Sequence, residues 1–147
     1  MTKRLPFTAL AVERAIRGVE QAGRFVVGVK PDGTLIVAHT ANGALYTVDP
    51  STGASSQIAG ADVPNVDGIL FEAGLLFAVQ NNDNLVKELR LSDDLSSATV
   101  VKVITDPSFE IPTTIARWGN RLAVVNAKFD TGFPPTASTF DVNVVPR

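Results

Sequence analysis

Residues 33–39 read GTLIVAH, and the same pattern returns as GLLFAVQ at 74–80 and as NRLAVVN at 120–126. Each copy is a short apolar run that ends on a polar side chain, which favours a buried β-strand. The first two copies open on Gly33 and Gly74, 41 residues apart. A hydrophobic hairpin that recurs every ~40–50 residues is typical of the blades of a β-propeller. The repeat therefore predicts a mainly β fold built from successive blades.

Turn signals between the apolar runs divide this part of the chain. Asn42-Gly43 is the strongest short signal for a tight hairpin, because both residues tolerate a positive φ. DPSTG at 49–53 predicts a second turn, with proline where its fixed φ suits the backbone. The pattern predicts two to three four-stranded antiparallel blades, a partial β-propeller, with blades at about 25–60, 61–106 and 107–147. The last blade lacks an outer strand.

The first thirty residues have a different character. Six basic and two acidic side chains give them a charge of +4, whereas residues 31–147 carry −6. Val12, Ala15, Ile16 and Val19 recur at helical spacing, which predicts one N-terminal amphipathic α-helix. We expect this helix plus a strand within 1–30, and the partial propeller over 31–147. The basic helix leaves a nucleic-acid partner open, but the segment has no aromatic stacking pair or arginine cluster to support one.

Composition restricts the possible functions. The chain has 147 residues, no cysteine and one histidine, which excludes disulfides, thiolate chemistry and zinc sites that need several histidines. No apolar run reaches the ~20 residues of a membrane span. The N-terminal residues lack the uncharged apolar core of a signal peptide. We therefore expect a cytoplasmic protein with no membrane partner.

Five segments in this order resemble the C-terminal blades of the SMP-30/gluconolactonase-like six-bladed β-propellers. They are YTVDPSTG at 46–53, PNVDGI at 64–69, VQN at 79–81, IPTT at 111–114 and VVNAKF at 124–129. The resemblance covers residues ~31–147 and does not include the start of such a protein. The basic helical segment that precedes the blades is unrelated in pattern. The resemblance thus implies a truncated, rearranged or recombined propeller chain.

The resemblance also implies a chemistry, that of a Ca²⁺-dependent lactonase or ester hydrolase. In such proteins a divalent cation at the mouth of the central tunnel is held by side-chain oxygens from several blades, and it polarises the substrate carbonyl. Carried over to this chain, the implied metal ligands are Asn65, Asp67 and Asn126, and Asp67 is the catalytic candidate. Val66 stands where the family has a glycine after the asparagine. Asn65 and Asp67 equally suit an ordinary turn before a strand.

Three polar residues occupy matching positions at the ends of the repeated runs: His39, Gln80 and Asn126. With Asn81, which follows Gln80, they could ring a tunnel mouth, so His39, Gln80 and Asn81 are the candidates for substrate binding. The alternative is that these side chains satisfy neighbouring backbone groups, since buried polar groups need partners.

The sequence leaves three functions open. The first is a propeller module without full hydrolase activity by itself. The second is a divalent-metal hydrolase completed by homo-oligomerisation, in which a symmetric dimer finishes a six-bladed ring and covers exposed blade faces. The third is a binding module that uses the basic N-terminal helix.

Overall fold

The computed structural model describes the backbone of residues 25–29 and the whole of residues 33–147. This part of the chain forms three antiparallel sheets and one short 3-10 helix at Phe129–Thr131. The prediction of a mainly β fold is confirmed. The predicted N-terminal helix lies outside the described residues. No helix within these ranges is long and apolar enough to cross a membrane.

The strands follow one another along the chain. The first sheet contains β1 (Phe25–Val29), β2 (Leu35–His39), β3 (Ala44–Val48) and β4 (Ser55–Gln57). The second contains β5 (Val66–Glu72), β6 (Leu75–Gln80), β7 (Leu85–Leu91) and β8 (Ala98–Thr105). The third contains β9 (Pro112–Trp118), β10 (Arg121–Asn126) and β11 (Val142–Pro146).

Each sheet is a meander in which neighbouring strands are also neighbours in sequence. The first strands lie side by side, because β5 contacts β1 and β9 contacts β5. Such stacked meanders, with their first strands innermost, are the arrangement of consecutive propeller blades. The third sheet has three strands within the described residues, as the sequence predicted for a blade without an outer strand.

The hairpin at Asn42-Gly43 differs from the predicted two-residue turn. His39 pairs with Ala44, so residues 40–43 form a four-residue loop. Only Gly43 of the two has a positive φ, 64°. Asn42 instead accepts a hydrogen bond from the N–H of Ala44 at 3.1 Å and donates one to the hydroxyl of Tyr46 at 2.8 Å. The expectation of a tight turn was wrong because this side chain stabilises a wider loop.

Apolar side chains from both faces of the strands hold the sheets together. We call the side of a sheet that is turned toward the next sheet in chain order its forward face, and the opposite side its backward face. No described sheet follows the third one, so its forward face is the side opposite its contact with the second sheet. The forward face of the first sheet packs on the backward face of the second through buried residues that include Ile36, Ala38, Leu45, Leu76, Ala78 and Leu89. The second and third sheets pack in the same way through residues that include Phe77, Val79, Val86, Leu122, Val124 and Val145.

The inner strands approach each other closely at Gly68. A Cβ atom on Gly68 would lie 2.3 Å from the carbonyl oxygen of Thr113 and 3.0 Å from the Cα of Thr114. Both are backbone atoms, so no side-chain rotation could make room. Glycine at this position therefore allows β5 and β9 to lie next to each other.

Candidate functional site

The second strands of the three sheets end at equivalent places, with His39 closing β2, Gln80 closing β6 and Asn126 closing β10. Gln80 pairs with Val66, and Asn126 pairs with Pro112. These residues therefore lie beside the start of the inner strands. We call this edge of the sheets the polar end. It carries every site residue that the sequence predicted.

A cluster of amides and carboxylates surrounds Gln80. This side chain is 1% exposed, and its Nε2 donates a hydrogen bond of 2.8 Å to Oδ2 of Asp83. Nδ2 of Asn65 lies 3.3 Å from both carboxylate oxygens of Asp83. Asp83 thus brings Gln80 and Asn65 together. The carbonyl oxygen Oε1 of Gln80 is buried and has no hydrogen-bond partner in the described part of the chain.

The backbone of Asn65 explains how it reaches this cluster. Its φ is 53°, a left-handed conformation that asparagine tolerates better than most residues. Its carbonyl oxygen accepts a hydrogen bond of 3.0 Å from the N–H of Asn81. Asn65 therefore makes the turn into β5 and also presents its amide to Asp83.

Asp67 is half-buried one strand away from the loop of Asn81. Nδ2 of Asn81 donates a hydrogen bond of 3.3 Å to Oδ2 of Asp67. Burial raises the pKa of the Asp67 carboxyl above its ordinary value, and the hydrogen bond from Asn81 lowers it by less. The carboxylate is thus partly removed from water with one weak partner. We call the five residues Asn65, Asp67, Gln80, Asn81 and Asp83 the amide–carboxylate cluster.

Asn126 has different partners from the cluster. It is 1% exposed, and its Oδ1 accepts a hydrogen bond of 3.0 Å from the N–H of Glu110. Its Nδ2 donates one of 2.8 Å to the carbonyl oxygen of Ser108. Both ends of this amide therefore hold the segment that leads into β9, which is the alternative role that the sequence left open.

His39 lies at the matching position of the first sheet. It is half-buried, and its ring centroid is 6.4 Å from that of Tyr46. Its Nδ1 is buried and has no hydrogen-bond partner among the described residues. The next residue, Thr40, donates a hydrogen bond of 2.6 Å to the carbonyl oxygen of Val66. Thr40 thereby links the first sheet to the entry of β5.

The predicted set of metal ligands does not fit a Ca²⁺ centre as these residues stand. Ca²⁺ takes six to eight oxygen ligands. The described residues contain no group of three or more His, Cys, Asp and Glu side chains that could hold a metal ion. Asn126 already uses its oxygen on the backbone. The cluster offers two carboxylates and the unpaired oxygen of Gln80, which is fewer ligands than such a centre requires.

Two residues at the polar end were not among the predicted site residues. Asp83 is the carboxylate on which Asn65 and Gln80 converge, and Oδ1 of Asn84 accepts a hydrogen bond of 2.8 Å from the N–H of Ile111. The run NNDN at 81–84 carries their signal. It is a loop of side chains that can both cap a turn and reach a neighbouring strand.

Two surface pockets lie away from the cluster. One, of about 210 Å³, is lined by residues that include Asn42, Gln57 and Asp62. The other, of about 310 Å³, is lined by Trp118, Gly119, Asn120 and Arg121 at the turn between β9 and β10. Neither pocket is lined by a predicted site residue.

Comparison with known proteins supports the fold and not a family. No protein-family model matches the chain, and no curated protein matches it. Among solved structures, the N-terminal domain of Nup159, a β-propeller, is similar at 14% identity with a TM-score of 0.54. The match covers 83% of this chain and 33% of that one, so the chain spans about a third of its length. The major Malassezia sympodialis allergen Mala s 1 matches at 17% identity over 90% of this chain and 60% of that one, with a TM-score of 0.44.

The likeness to the Nup159 domain agrees with the propeller-like stacking of the three sheets. Neither structure links the chain to the SMP-30/gluconolactonase-like proteins. That resemblance stays a prediction from the sequence. The comparisons thus bear out a β-propeller-like fold for this chain.

Proposed function

We propose that the chain is a partial β-propeller module that binds a small polar ligand at its polar end and lacks full hydrolase activity by itself. The observation that carries this proposal is the buried oxygen Oε1 of Gln80, which has no partner among the described residues. A buried acceptor left without a hydrogen bond costs roughly 1–3 kcal/mol. A ligand that brings a cation or a hydrogen-bond donor to this oxygen recovers that free energy.

The position of the cluster supports binding more than catalysis. All five of its residues come from the second sheet and its loops, between positions 65 and 83. No described hydrogen bond joins them to His39 or Asn126. The chemistry that the family resemblance implies requires a cation held by several blades, so one blade provides too few oxygens for it. His39, Gln80 and Asn81 remain proposed contacts for the ligand, with Asp67 and Asp83 supplying charge.

Hydrolysis of a sugar lactone and of an aryl ester tests the catalytic half of the proposal. With millimolar Ca²⁺ we expect the same rate with the protein as in buffer, and the same rate with the variant Asp67→Asn. Hydrolysis that depends on Ca²⁺ and disappears in Asp67→Asn would show instead that the module is an enzyme.

Thermal melting tests the binding half. A ligand that binds the folded state raises the melting temperature as its concentration exceeds its dissociation constant. We expect such a rise with the sugar acid that the lactone yields, and its loss in Gln80→Met. Gln57→Met, on the exposed strand β4, is the matched control and should keep the rise. No rise with this acid in the wild type contradicts ligand binding at this end.

The second candidate is a Ca²⁺-dependent hydrolase completed by a second chain. One observation favours it, namely that the forward face of the third sheet has no sheet packed on it in the described residues. Under this alternative, activity per chain rises with protein concentration, whereas the first proposal expects none at any concentration. A role for the basic helix lies outside the described residues, and salt-sensitive binding to duplex DNA would reveal it.

A further inference from the structure

We propose that the forward face of the third sheet docks a second copy of this chain, face to face, in a two-fold symmetric dimer. This inference is independent of the ligand proposed above. It differs from the six-bladed ring of two chains that the sequence left open, and it rests on register, exposure and charge.

Register shows that this face belongs to the series of sheet-to-sheet contacts. The residues one and three positions before the end of each second strand point forward: Ala38 and Ile36 in the first sheet, Val79 and Phe77 in the second. Both of these pairs are buried against the following sheet. The equivalent pair in the third sheet is Val125 and Ala123. The same positions that build two interfaces within the chain are therefore present a third time, without a following sheet in the described residues.

Strand pairing defines the whole face as three rows of three side chains. Thr114, Val125 and Val142 form one row, Ala116, Ala123 and Val144 the next, and Trp118, Arg121 and Pro146 the last. Eight of these nine residues are uncharged. Trp118 is 65% exposed and Val142 is 60% exposed. An apolar face of this kind, open to water, marks a surface for association.

The backward face of the first sheet, at the opposite end of the row of three sheets, decides how a second copy can bind. A head-to-tail dimer would place this face on the backward face of the first sheet of its partner. That face, formed by Leu35, Val37 and Val48, is already buried. The forward face of the third sheet is then left to pair with itself, which is an isologous contact with two-fold symmetry.

Charge complements this arrangement. At the Trp118 end of the third sheet, Arg121 is exposed on the face itself, while Arg117 and Arg147 lie on the backward side, where they share Glu72 of the second sheet. At the polar end, Lys128 bonds two carboxylates, Asp141 at 2.7 Å and Glu110 at 3.1 Å. One end is therefore positive and the other negative. A two-fold axis that lies between the sheets and runs across the strands places the positive end of each copy against the negative end of the other.

Size sets the strength of the dimer. Three strands ~4.8 Å apart and roughly 20 Å long offer on the order of 300–500 Å² per copy. Stable interfaces bury about 800 Å² per partner. We therefore expect a reversible dimer with a dissociation constant in the range of roughly 1–100 µM, and one that weakens with added salt.

Sedimentation velocity over a wide range of protein concentration tests the proposal. We expect a species of 15.6 kDa when dilute and one of twice that mass when concentrated. Val125→Lys and Val142→Lys should each raise the dissociation constant at least tenfold, whereas Val101→Lys, on the exposed strand β8, should not. Arg121→Glu should weaken the dimer several-fold more than Arg90→Glu, a matched change on β7. Circular dichroism of the dilute variants checks that they remain folded.

Symmetry has its own test at the centre of the face. Ala123→Lys and Ala123→Glu should each be monomeric alone, because like charges then meet across the two-fold axis, and an equimolar mixture should associate. A monomer at every concentration, a dimer that Val125→Lys leaves unchanged, oligomers that grow beyond two copies, or a mixture that stays monomeric would each overturn the proposal.

Discussion

Asn126 holds the backbone at the polar end with both ends of one side chain. The donors and acceptors that it satisfies belong to residues 108 and 110, which lead into β9. Replacement by alanine removes the acceptor of the Glu110 N–H and one of the two side-chain donors to the Ser108 carbonyl, the other being Asn143. A small side chain at this position thus decides where an inner strand begins.

The variant Asn126→Ala should lower the free energy of unfolding by about 1–3 kcal/mol, because the N–H of Glu110 loses its acceptor while the carbonyl of Ser108 keeps the bond from Asn143. Urea unfolding measures the loss. Asn143→Ala is the control, since Nδ2 of Asn143 also donates to the carbonyl oxygen of Ser108 at 2.8 Å but lies in a more exposed position. We expect it to cost less than about 1 kcal/mol. Equal losses in the two variants would contradict the bracing role of Asn126.

The sequence repeat predicted the positions of His39, Gln80 and Asn126, but not the groups with which they form hydrogen bonds. Their positions follow from counting along a strand, which is local information. The partners of Asn126 lie 16 and 18 residues away, and the amide of Asn65 meets Asp83 across 18 residues. The contact between Asn65 and Asp83 depends on an irregular register between Val66 and Ile69, where β5 pairs with β6. A single sequence contains no signal for such a bulge.

At the scale of elements, three tight turns share one device, an aspartate followed two residues later by a serine. Oδ1 of Asp49, Asp94 and Asp106 accepts hydrogen bonds from the N–H and the hydroxyl of Ser51, Ser96 and Ser108 respectively. Hydrogen bonds to the charged form stabilise it, so the pKa of each of these carboxyl groups is lowered. These turns therefore depend on ionised aspartates.

Asp94 gives the sharpest test, because hydrogen bonds from Ser92 and Ser96 lower its pKa from 3.8 to about 2. A carboxyl group whose pKa is lower in the folded state stabilises the protein above its unfolded pKa, and that stabilisation is lost as pH falls through the folded pKa. Asp94→Asn should therefore lower the melting temperature most at pH above 3.8. Its melting temperature should meet that of the wild type below about 2.

The neighbouring variant Asp93→Asn is the matched control, since Asp93 takes part in none of these hydrogen bonds. It should change the melting temperature little at any pH in this range. A constant difference between Asp94→Asn and the wild type from neutral pH down to acid would mean that the charge of Asp94 contributes nothing to the turn.

The strands were the most predictable elements, and the loops the least. The apolar run at 74–80 predicted a buried strand, and β6 occupies Leu75–Gln80. The loop at residues 40–43 was expected to be shorter, since Asn42-Gly43 also suits a two-residue turn. The side-chain hydrogen bonds of Asn42 select the longer loop. The local sequence is compatible with a two-residue turn and with a four-residue loop, and the hydrogen bond from Asn42 to Tyr46 favours the four-residue loop.

At the scale of the molecule, two apolar cores join the three sheets in sequence. Phe77 is fully buried between the second and third sheets, and the guanidinium of Arg147 lies 5.0 Å from the centre of its ring. The chain has one tryptophan, Trp118 in the third sheet, and one tyrosine, Tyr46 in the first. Each end of the array therefore has its own optical probe.

Unfolding followed by Trp118 fluorescence and by the near-ultraviolet dichroism of Tyr46 should give coincident curves in the wild type, because the cores couple the sheets. Phe77→Ala should cost about 3–5 kcal/mol and separate the curves, with the Trp118 signal changing first. Phe133→Ala is the control, since that ring is 88% exposed, and it should shift neither curve. Curves that already differ in the wild type would show that the sheets unfold independently.

The architecture was predictable because the spacing of the sequence repeat matches the length of one propeller blade. The resemblance to SMP-30/gluconolactonase-like proteins concerns short segments at turns and strand ends, and such segments also serve the fold. Gly68 illustrates this, since PNVDGI needs its glycine for the close approach to Thr113 and Thr114. A motif residue that the backbone requires says little about chemistry. The function therefore stays a proposal, whereas the β-propeller-like fold is supported by the structure.

The difference between the two outer faces has a consequence for what concentrated solutions of this chain can become. Growth of a fibre from a stack of sheets requires each unit to offer a donor face and a matching acceptor face. Leu35, Val37 and Val48 on the backward face of the first sheet are buried, whereas Trp118 and Val142 on the forward face of the third sheet are exposed, so the two outer faces are not equivalent. An assembly built on such a unit terminates itself: its light scattering should level off without a lag phase, and seeds of preformed material should not accelerate it.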